Sequence, residues 1–100
     1  MAEFTKITEQ RVRHISGYEV YSAGRDYIGY KDACSTYKIY YEFGWDKTFE
    51  KGIEYIYINS IYDENLNLII LSDKDRQNLI EKVVRAETFM TNFRIVLVSR

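Results

Sequence analysis

Side chains with reactive chemistry are few, because the 100 residues include one histidine, His14, and one cysteine, Cys34. Together they would supply a thiolate nucleophile and its base, whereas a zinc ion would need two more soft ligands. A lone cysteine is more often a small buried hydrophobe than a nucleophile. We therefore expect no catalytic pair, no metal site and no cofactor.

Two segments approach the spacing of known ligand loops. Residues 24–31 have the glycine spacing of a phosphate-binding loop, but Tyr30 stands where that loop needs lysine. Asp63, Asn65 and Asn67 alternate as in a calcium loop, but Leu68 occupies the position of its obligatory glycine. Neither segment predicts a ligand site, and turn chemistry explains the second one better.

Carboxylates are numerous, but acid/base hydrolysis needs a pair of them facing each other in a cleft. Those considered are Glu42, Asp46, Glu54, Asp63, Glu64, Asp73 and Asp75. The sequence alone does not place any two of them together, and solubility or helix capping accounts for them. We therefore predict that the protein is not an enzyme.

Tyrosine is the abundant recognition residue, with ten copies in the chain. Its ring offers large, rigid contact area, and its hydroxyl needs an anchor, which suits binding surfaces. Tyrosines that alternate with Ile and Phe are predicted to lie in or beside the core, and these are Tyr37, Tyr41, Tyr55 and Tyr57. Tyrosines next to turns or charged residues are predicted to be exposed, and these are Tyr18, Tyr27, Tyr30, Tyr40 and Tyr62. Tyr40 and Tyr62 are the leading candidates for contact with a partner.

The segment from Gly44 to Gly52 is predicted to be a nine-residue loop between two strands, and loops of that length are often functional. It carries the only tryptophan, Trp45, together with Lys47 and Phe49. Aromatic residues are enriched at the energetic centre of protein interfaces. The alternative is that Trp45 and Phe49 fold back over an edge of the small core, and the sequence leaves both open.

A basic cluster of Arg11, Arg13 and His14 suggests an alternative function. With Tyr30 as a stacking platform, these side chains would bind nucleic acid or a nucleotide ligand. The net charge of −1 lacks the positive excess that phosphate binding favours, so this class ranks second.

Composition predicts one soluble domain over residues 1–100, since the length allows a single core. Hydrophobic residues make up 46% of the chain and charged residues 29%, which is the range of globular proteins. The start of the chain does not resemble a signal peptide, and no apolar run reaches membrane-spanning length. We expect a cytoplasmic protein that does not contact membranes.

Periodicity predicts an α+β fold with a mostly antiparallel sheet of four to six strands and one helix on one face. The expected strands are residues 11–15, 18–21, 34–43, 53–62, 66–71 and 93–98. An apolar stripe at helical spacing predicts an amphipathic helix over residues 73–90. Ser72 is its N-cap in a capping box with Asp75, and Glu81 and Arg85 are spaced for an ion pair.

The segment from Ile53 to Glu87 resembles small accessory proteins encoded by bacteriophages, which often pair a few strands with one capped amphipathic helix. The residues that carry this resemblance are the Asp63-Glu64-Asn65 turn, the apolar run 66–71, the Ser72-Asp73 cap and the helix with Glu81. The resemblance implies a host-takeover or anti-defence protein that occupies a surface of a host defence or nuclease complex in the host cytoplasm.

Taken together, the residues predict a protein-binding domain that works through its outer sheet face and the Gly44–Gly52 segment. The alternatives are a nucleic-acid or nucleotide-ligand binder and a virion or assembly component. An edge strand at residues 93–98 would also allow a homodimer.

Overall fold

A computed structural model describes residues 2–100 as one helix packed on one face of a seven-stranded sheet. The strands are β1 Phe4–Thr8, β2 Arg11–His14, β3 Glu19–Ser22, β4 Tyr27–Lys31, β5 Thr36–Asp46, β6 Lys51–Tyr62 and β7 Arg94–Val98. The helix α1 spans Asp73–Met90, between β6 and β7. The α+β fold, the helix and the C-terminal strand are confirmed.

The strand order in the sheet follows the order in the chain, from β1 at one edge to β7 at the other. Every neighbouring pair from β1 to β6 is antiparallel, because short turns join them. The β7 strand is parallel to β6, since α1 carries the chain back across the sheet before β7 begins. The helix therefore has to cover one face of the sheet.

The core lies between α1 and that face. Side chains of the strands alternate, so one set from each strand meets Leu79, Ile80 and Val83 of the helix. The strand residues buried in this cluster include Val12, Val20, Ile28, Ile39 and Ile56. Within residues 2–100, no helix covers the opposite face of the sheet.

The start of α1 agrees with the predicted cap. The Ser72 hydroxyl oxygen accepts a hydrogen bond from the Asp75 backbone N–H at 3.2 Å, and Asp73 and Asp75 place negative charge at the positive end of the helix. Arg85 pairs with Glu3 at the N-terminal edge of the sheet, instead of with Glu81 as predicted.

The prediction of four to six strands was wrong, because β1 and β4 were not anticipated and residues 66–71 are not a strand. The Asp63 carboxylate accepts from the backbone N–H groups of Asn65 and Asn67, and Leu66 adopts a positive φ of 63°. These local bonds hold the chain in a turn, so the following segment makes only an isolated bridge between Leu68 and Tyr62. Ile70 is left 90% exposed.

The predicted nine-residue loop from Gly44 to Gly52 is also wrong. The β5 strand continues to Asp46 and β6 begins at Lys51, so only the four residues 47–50 form the turn. The pairing shifts register beyond Ile39, and the second half of β5 extends past the end of its pairing with β4. The β5–β6 hairpin therefore projects from the sheet, with β7 along one side of its base.

The β7 strand lies at the edge of the sheet, where its outer backbone groups face no other strand of residues 2–100. Pairing of this strand with a second copy stays a prediction. Within the described part of the chain, no helix combines the length and apolar character needed to cross a membrane.

Candidate functional site

Six of the ten tyrosines lie on the sheet face opposite the helix, and we call this set the tyrosine face. Its members are Tyr21, Tyr27, Tyr40, Tyr55, Tyr57 and Tyr62. All six side chains are half-buried. The other four tyrosines lie on the helix side, so the prediction that Tyr55 and Tyr57 lie toward the core and Tyr18 and Tyr30 are exposed was wrong.

Four rings of the tyrosine face contact one another across three strands. Tyr27 on β4 has its ring centroid 6.1 Å from that of Tyr40 on β5 and 5.9 Å from that of Tyr62 on β6. Tyr40 in turn lies 5.1 Å from Tyr57. These edge-to-face and tilted contacts hold each ring in place, so a partner would meet a preorganised aromatic surface.

A glycine extends this surface toward β2. Gly29 faces Tyr21 across the β3–β4 pair, and a Cβ atom at Gly29 would overlap the Tyr21 ring. The absence of a side chain lets the ring lie flat on the sheet. The guanidinium of Arg11 then stacks over the same ring at 4.1 Å, a cation–π contact.

Several charged side chains on this face contact each other or a tyrosine ring. Arg11 and Arg13 both contact the carboxylate of Glu19, at 3.3 Å and 2.9 Å. The Tyr57 hydroxyl donates to the Glu42 carboxylate, and Arg100 lies 5.8 Å from the Tyr57 ring centroid. The face therefore carries charges of both signs, including those of Lys31 and Lys38.

The predicted nucleic-acid residues do not share one surface. Arg11 and Arg13 project from the open face, whereas the buried Tyr30 and the half-buried His14 lie on the helix side. His14 stacks on Tyr18 at 4.5 Å, and Tyr18 stacks on Tyr30 at 5.6 Å. The aromatic side chain beside Arg11 and Arg13 is thus Tyr21, whereas the sequence analysis had selected Tyr30.

The exposed end of the β5–β6 hairpin, residues 45–51, is here called the hairpin tip. Trp45 is 59% exposed and Phe49 is 65% exposed, so neither folds back over the core. The Asp46 carboxylate accepts from the backbone N–H groups of Thr48 and Phe49 and lies 3.5 Å from Arg94. These bonds fix the turn that presents Phe49 and Lys47 to solvent.

The hairpin tip and the tyrosine face are not one continuous patch. Trp45 pairs with Gly52 in the register and shares the helix-bearing side with Phe43. Phe43 packs against Phe93 at 5.3 Å, and a side chain at Gly52 would overlap both rings. The predicted set of contact residues is therefore split, with Tyr40 and Tyr62 on one side of the sheet and Trp45 on the other.

A second feature lies at the C-terminal end of α1, where Glu54 of β6 and Glu87 of α1 converge on a cavity of about 160 Å³, here called the acid pocket. Each of the two glutamates is only 6% exposed. Tyr41 and Tyr27 also line the cavity, so the acid pocket adjoins the tyrosine face through Tyr27.

The two carboxyl groups share one proton. Burial, together with the nearby charge of Glu54, raises the pKa of Glu87 to about 8, and a protonated Glu87 donates to Glu54. Burial also raises the pKa of Glu54, although the hydrogen bond from Glu87 opposes that shift. At neutral pH Glu87 therefore keeps its proton.

Sequence reasoning did not find this pair, although each half carried a signal. Glu87 interrupts the apolar stripe of α1, four residues after Val83 and three before Met90. Glu54 alternates with Ile56 and Ile58, the residues of β6 that face the helix. A glutamate among the buried positions of a helix or a strand is unusual, and both α1 and β6 contain one. Only the packing of α1 on β6 brings the two glutamates together.

The single cysteine does not line the acid pocket. Cys34 is exposed on the turn between β4 and β5, whereas it was expected to be buried. Within residues 2–100, no group of three His, Cys, Asp or Glu side chains is placed to hold a metal ion.

No protein-family model, curated protein or solved structure matches this chain. Its function has to be argued from the tyrosine face, the hairpin tip and the acid pocket.

Proposed function

We propose that the protein acts by binding another protein, with the tyrosine face as the principal contact surface. The observation that carries the proposal is the row of touching rings Tyr27, Tyr40, Tyr57 and Tyr62 on a sheet face without a covering helix. Preorganised tyrosines bind with little loss of conformational entropy, and their hydroxyls satisfy polar groups of the partner.

The charge of this face is mixed, which suits a protein partner. Arg11 and Arg13 share the single carboxylate of Glu19, and Glu42 adds a further carboxylate beside Tyr57. A protein surface that carries both signs complements this arrangement, whereas a phosphate backbone complements only the positive charges.

The hairpin tip supplies a second contact. Trp45 and Phe49 are large, exposed and held by a turn with internal hydrogen bonds. Because they lie apart from the tyrosine face, a partner that engages both must wrap around the projecting hairpin. If a partner contacts only one of these two surfaces, the other surface is not needed for that binding.

The narrower prediction is an anti-defence inhibitor that occupies a host nuclease complex from the host cytoplasm. It rests on the resemblance of residues 53–87, and the absence of a strand at 66–71 leaves the capped helix as its main support. The identity of the partner tests this prediction. It also tests the predictions that the protein is not an enzyme and does not contact membranes, and the alternative that it is a virion component.

Nucleic-acid binding is the second candidate, because Arg11 stacks on Tyr21 at 4.1 Å and Arg13 is exposed. A base would have to stack beside this pair and Glu19 would have to release at least one arginine. Such binding would fall steeply with salt.

The test is affinity capture from the cognate cell extract, with and without nuclease, followed by titration of the recovered component. We expect a stoichiometric protein that survives nuclease and loses at least tenfold affinity for a Tyr40→Ala, Tyr62→Ala double variant. Ile70→Ala, which removes an exposed side chain elsewhere, is the matched control. Recovery of nucleic acid alone, or equal affinity of the double variant and the control, contradicts the proposal.

A further inference from the structure

The acid pocket holds negative charge that its walls do not balance. Besides Glu54 and Glu87, its polar lining consists of Glu9, Gln10, Ser22, Tyr27, Tyr41 and Thr91. Within the described chain, no lysine, arginine or histidine lines the cavity. Lys6 pairs with Glu9 at 3.2 Å on the exposed rim, outside the cavity.

One oxygen of the buried pair has no partner. Glu54 is 94% buried, since 6% of its surface is exposed, and its Oε1 atom makes no hydrogen bond within residues 2–100. A buried carboxylate oxygen without a donor is costly, because it has lost water and gained nothing in return. The cavity beside it is where a donor would have to sit.

We propose that the acid pocket binds a small organic cation with N–H donors, a guanidinium or primary ammonium group, between Glu54 and Glu87. A guanidinium presents several N–H groups in one plane and matches carboxylate oxygens in pairs. Tyr41 adds an aromatic wall, and Gln10, Ser22 and Thr91 supply polar atoms at the mouth.

The size of the cavity limits the ligand. A volume of about 160 Å³ equals roughly five water molecules at the density of the liquid. Methylguanidinium and ethylammonium fit this volume. A long polyamine or an aromatic drug-sized molecule does not fit as a whole, so only its cationic end would enter.

The bound cation replaces the proton that the two glutamates share. Asp26 near Tyr41 adds further negative charge, whereas the charge of Glu9 at the rim is compensated by Lys6. Because binding releases a proton while Glu87 is protonated, affinity should rise up to tenfold per pH unit below the point where that proton leaves. Above that point affinity should level off.

The experiment is a titration of the whole chain with methylguanidinium, followed by ¹H–¹⁵N NMR and calorimetry at pH 6.5, 7.5 and 9. We expect the largest shifts at the amides of Glu54, Glu87 and Thr91, and a dissociation constant at least tenfold lower at pH 9 than at pH 6.5. Acetamide, which is neutral, and tetramethylammonium, which has no N–H donor, should not bind. Equal binding at the three pH values, or equal binding of acetamide or tetramethylammonium, overturns the proposal.

Variants add an independent check. Glu87→Gln keeps the shape of the protonated glutamate and should reduce methylguanidinium affinity at pH 9 at least tenfold. Glu81→Gln, an exposed change on the same helix, should leave it unaltered. Unchanged affinity in Glu87→Gln contradicts the proposal, and the wild-type pH series decides the matter if that variant fails to fold.

The cation has two sources, a free metabolite or an arginine side chain of a bound protein. A blocked arginine-containing tripeptide, titrated beside methylguanidinium, distinguishes them. Tighter binding of the tripeptide assigns the pocket to a partner's side chain, whereas tighter binding of methylguanidinium assigns it to a free ligand. Binding of neither at pH 9 overturns the proposal.

Discussion

Replacing Glu87 by glutamine should change how the stability of the protein depends on pH. The wild-type side chain is buried against Glu54, and burial raises the pKa of Glu87 from 4.5 to about 8. In the unfolded chain the same group regains its ordinary pKa. Between these two values the folded state therefore holds one proton more than the unfolded state.

This difference in bound protons makes the free energy of unfolding fall as the pH rises. The slope is about 1.4 kcal/mol per pH unit while the folded state keeps the extra proton. From the ordinary pKa to about 8, the total loss is at most about 5 kcal/mol. Below pH 4.5 both states are protonated and the penalty vanishes, and above about pH 8 it stays constant.

The Glu87→Gln variant cannot ionise at this position, so it should lose most of the slope. Near pH 5 its stability should resemble that of the wild type, because glutamine has the shape of the protonated acid. At pH 9 it should exceed the wild type by about 2–5 kcal/mol, a large share of the 5–15 kcal/mol that small domains possess.

Urea unfolding followed by circular dichroism at pH 5, 7 and 9 measures this difference directly. Glu81→Gln on the exposed side of α1 is the control and should follow the wild type at each pH. If the free energies of unfolding of the wild type and Glu87→Gln change in parallel from pH 5 to pH 9, the assignment of a shared proton is refuted.

Three further substitutions test the fold and the exposed surfaces by thermal and urea unfolding. Gly29→Ala should destabilise the protein by about 1–3 kcal/mol, since its Cβ overlaps the Tyr21 ring; a neutral effect means that the ring does not lie on the glycine. Ser72→Ala should cost about 1 kcal/mol by removing the acceptor for the Asp75 N–H, and an unchanged urea midpoint argues against the cap. Trp45→Ala should change stability by less than about 0.5 kcal/mol because the side chain is exposed, whereas a strongly lowered melting temperature would place Trp45 in the core.

The helix and the first half of β5 could be predicted because their signals are local. Ser72 and Asp75 mark the helix start within four residues, and the apolar stripe that follows depends only on helical spacing. Likewise, alternation from Tyr37 to Phe43 identifies a half-buried strand without knowledge of its neighbours.

Predictions failed where backbone geometry competes with composition. Residues 66–71 are as apolar as a strand, but Asp63 and the left-handed Leu66 hold the preceding backbone in a turn. Residues 45–46 and 51–52 include glycine and charged residues, as loops often do. They nevertheless pair across the hairpin, because β5 and β6 extend past the rest of the sheet. Composition does not report either constraint.

The candidate site was only partly visible in the sequence. Tyr40 and Tyr62 were predicted to be exposed and are half-buried on the open face of the sheet. The ring that joins them is Tyr27 of β4, a strand that was not anticipated. Trp45 and Phe49 are exposed as the anchor hypothesis requires, although on a different surface.

The sequence by itself determined the α+β class, the helix and an excess of tyrosine over reactive side chains, because these depend on composition and on spacings of two to four residues. Only the tertiary structure decided which tyrosines share a face and that Glu54 meets Glu87. Those neighbours come from different strands or from a strand and the helix, and their distances are set by strand register and by the packing of α1 on the sheet.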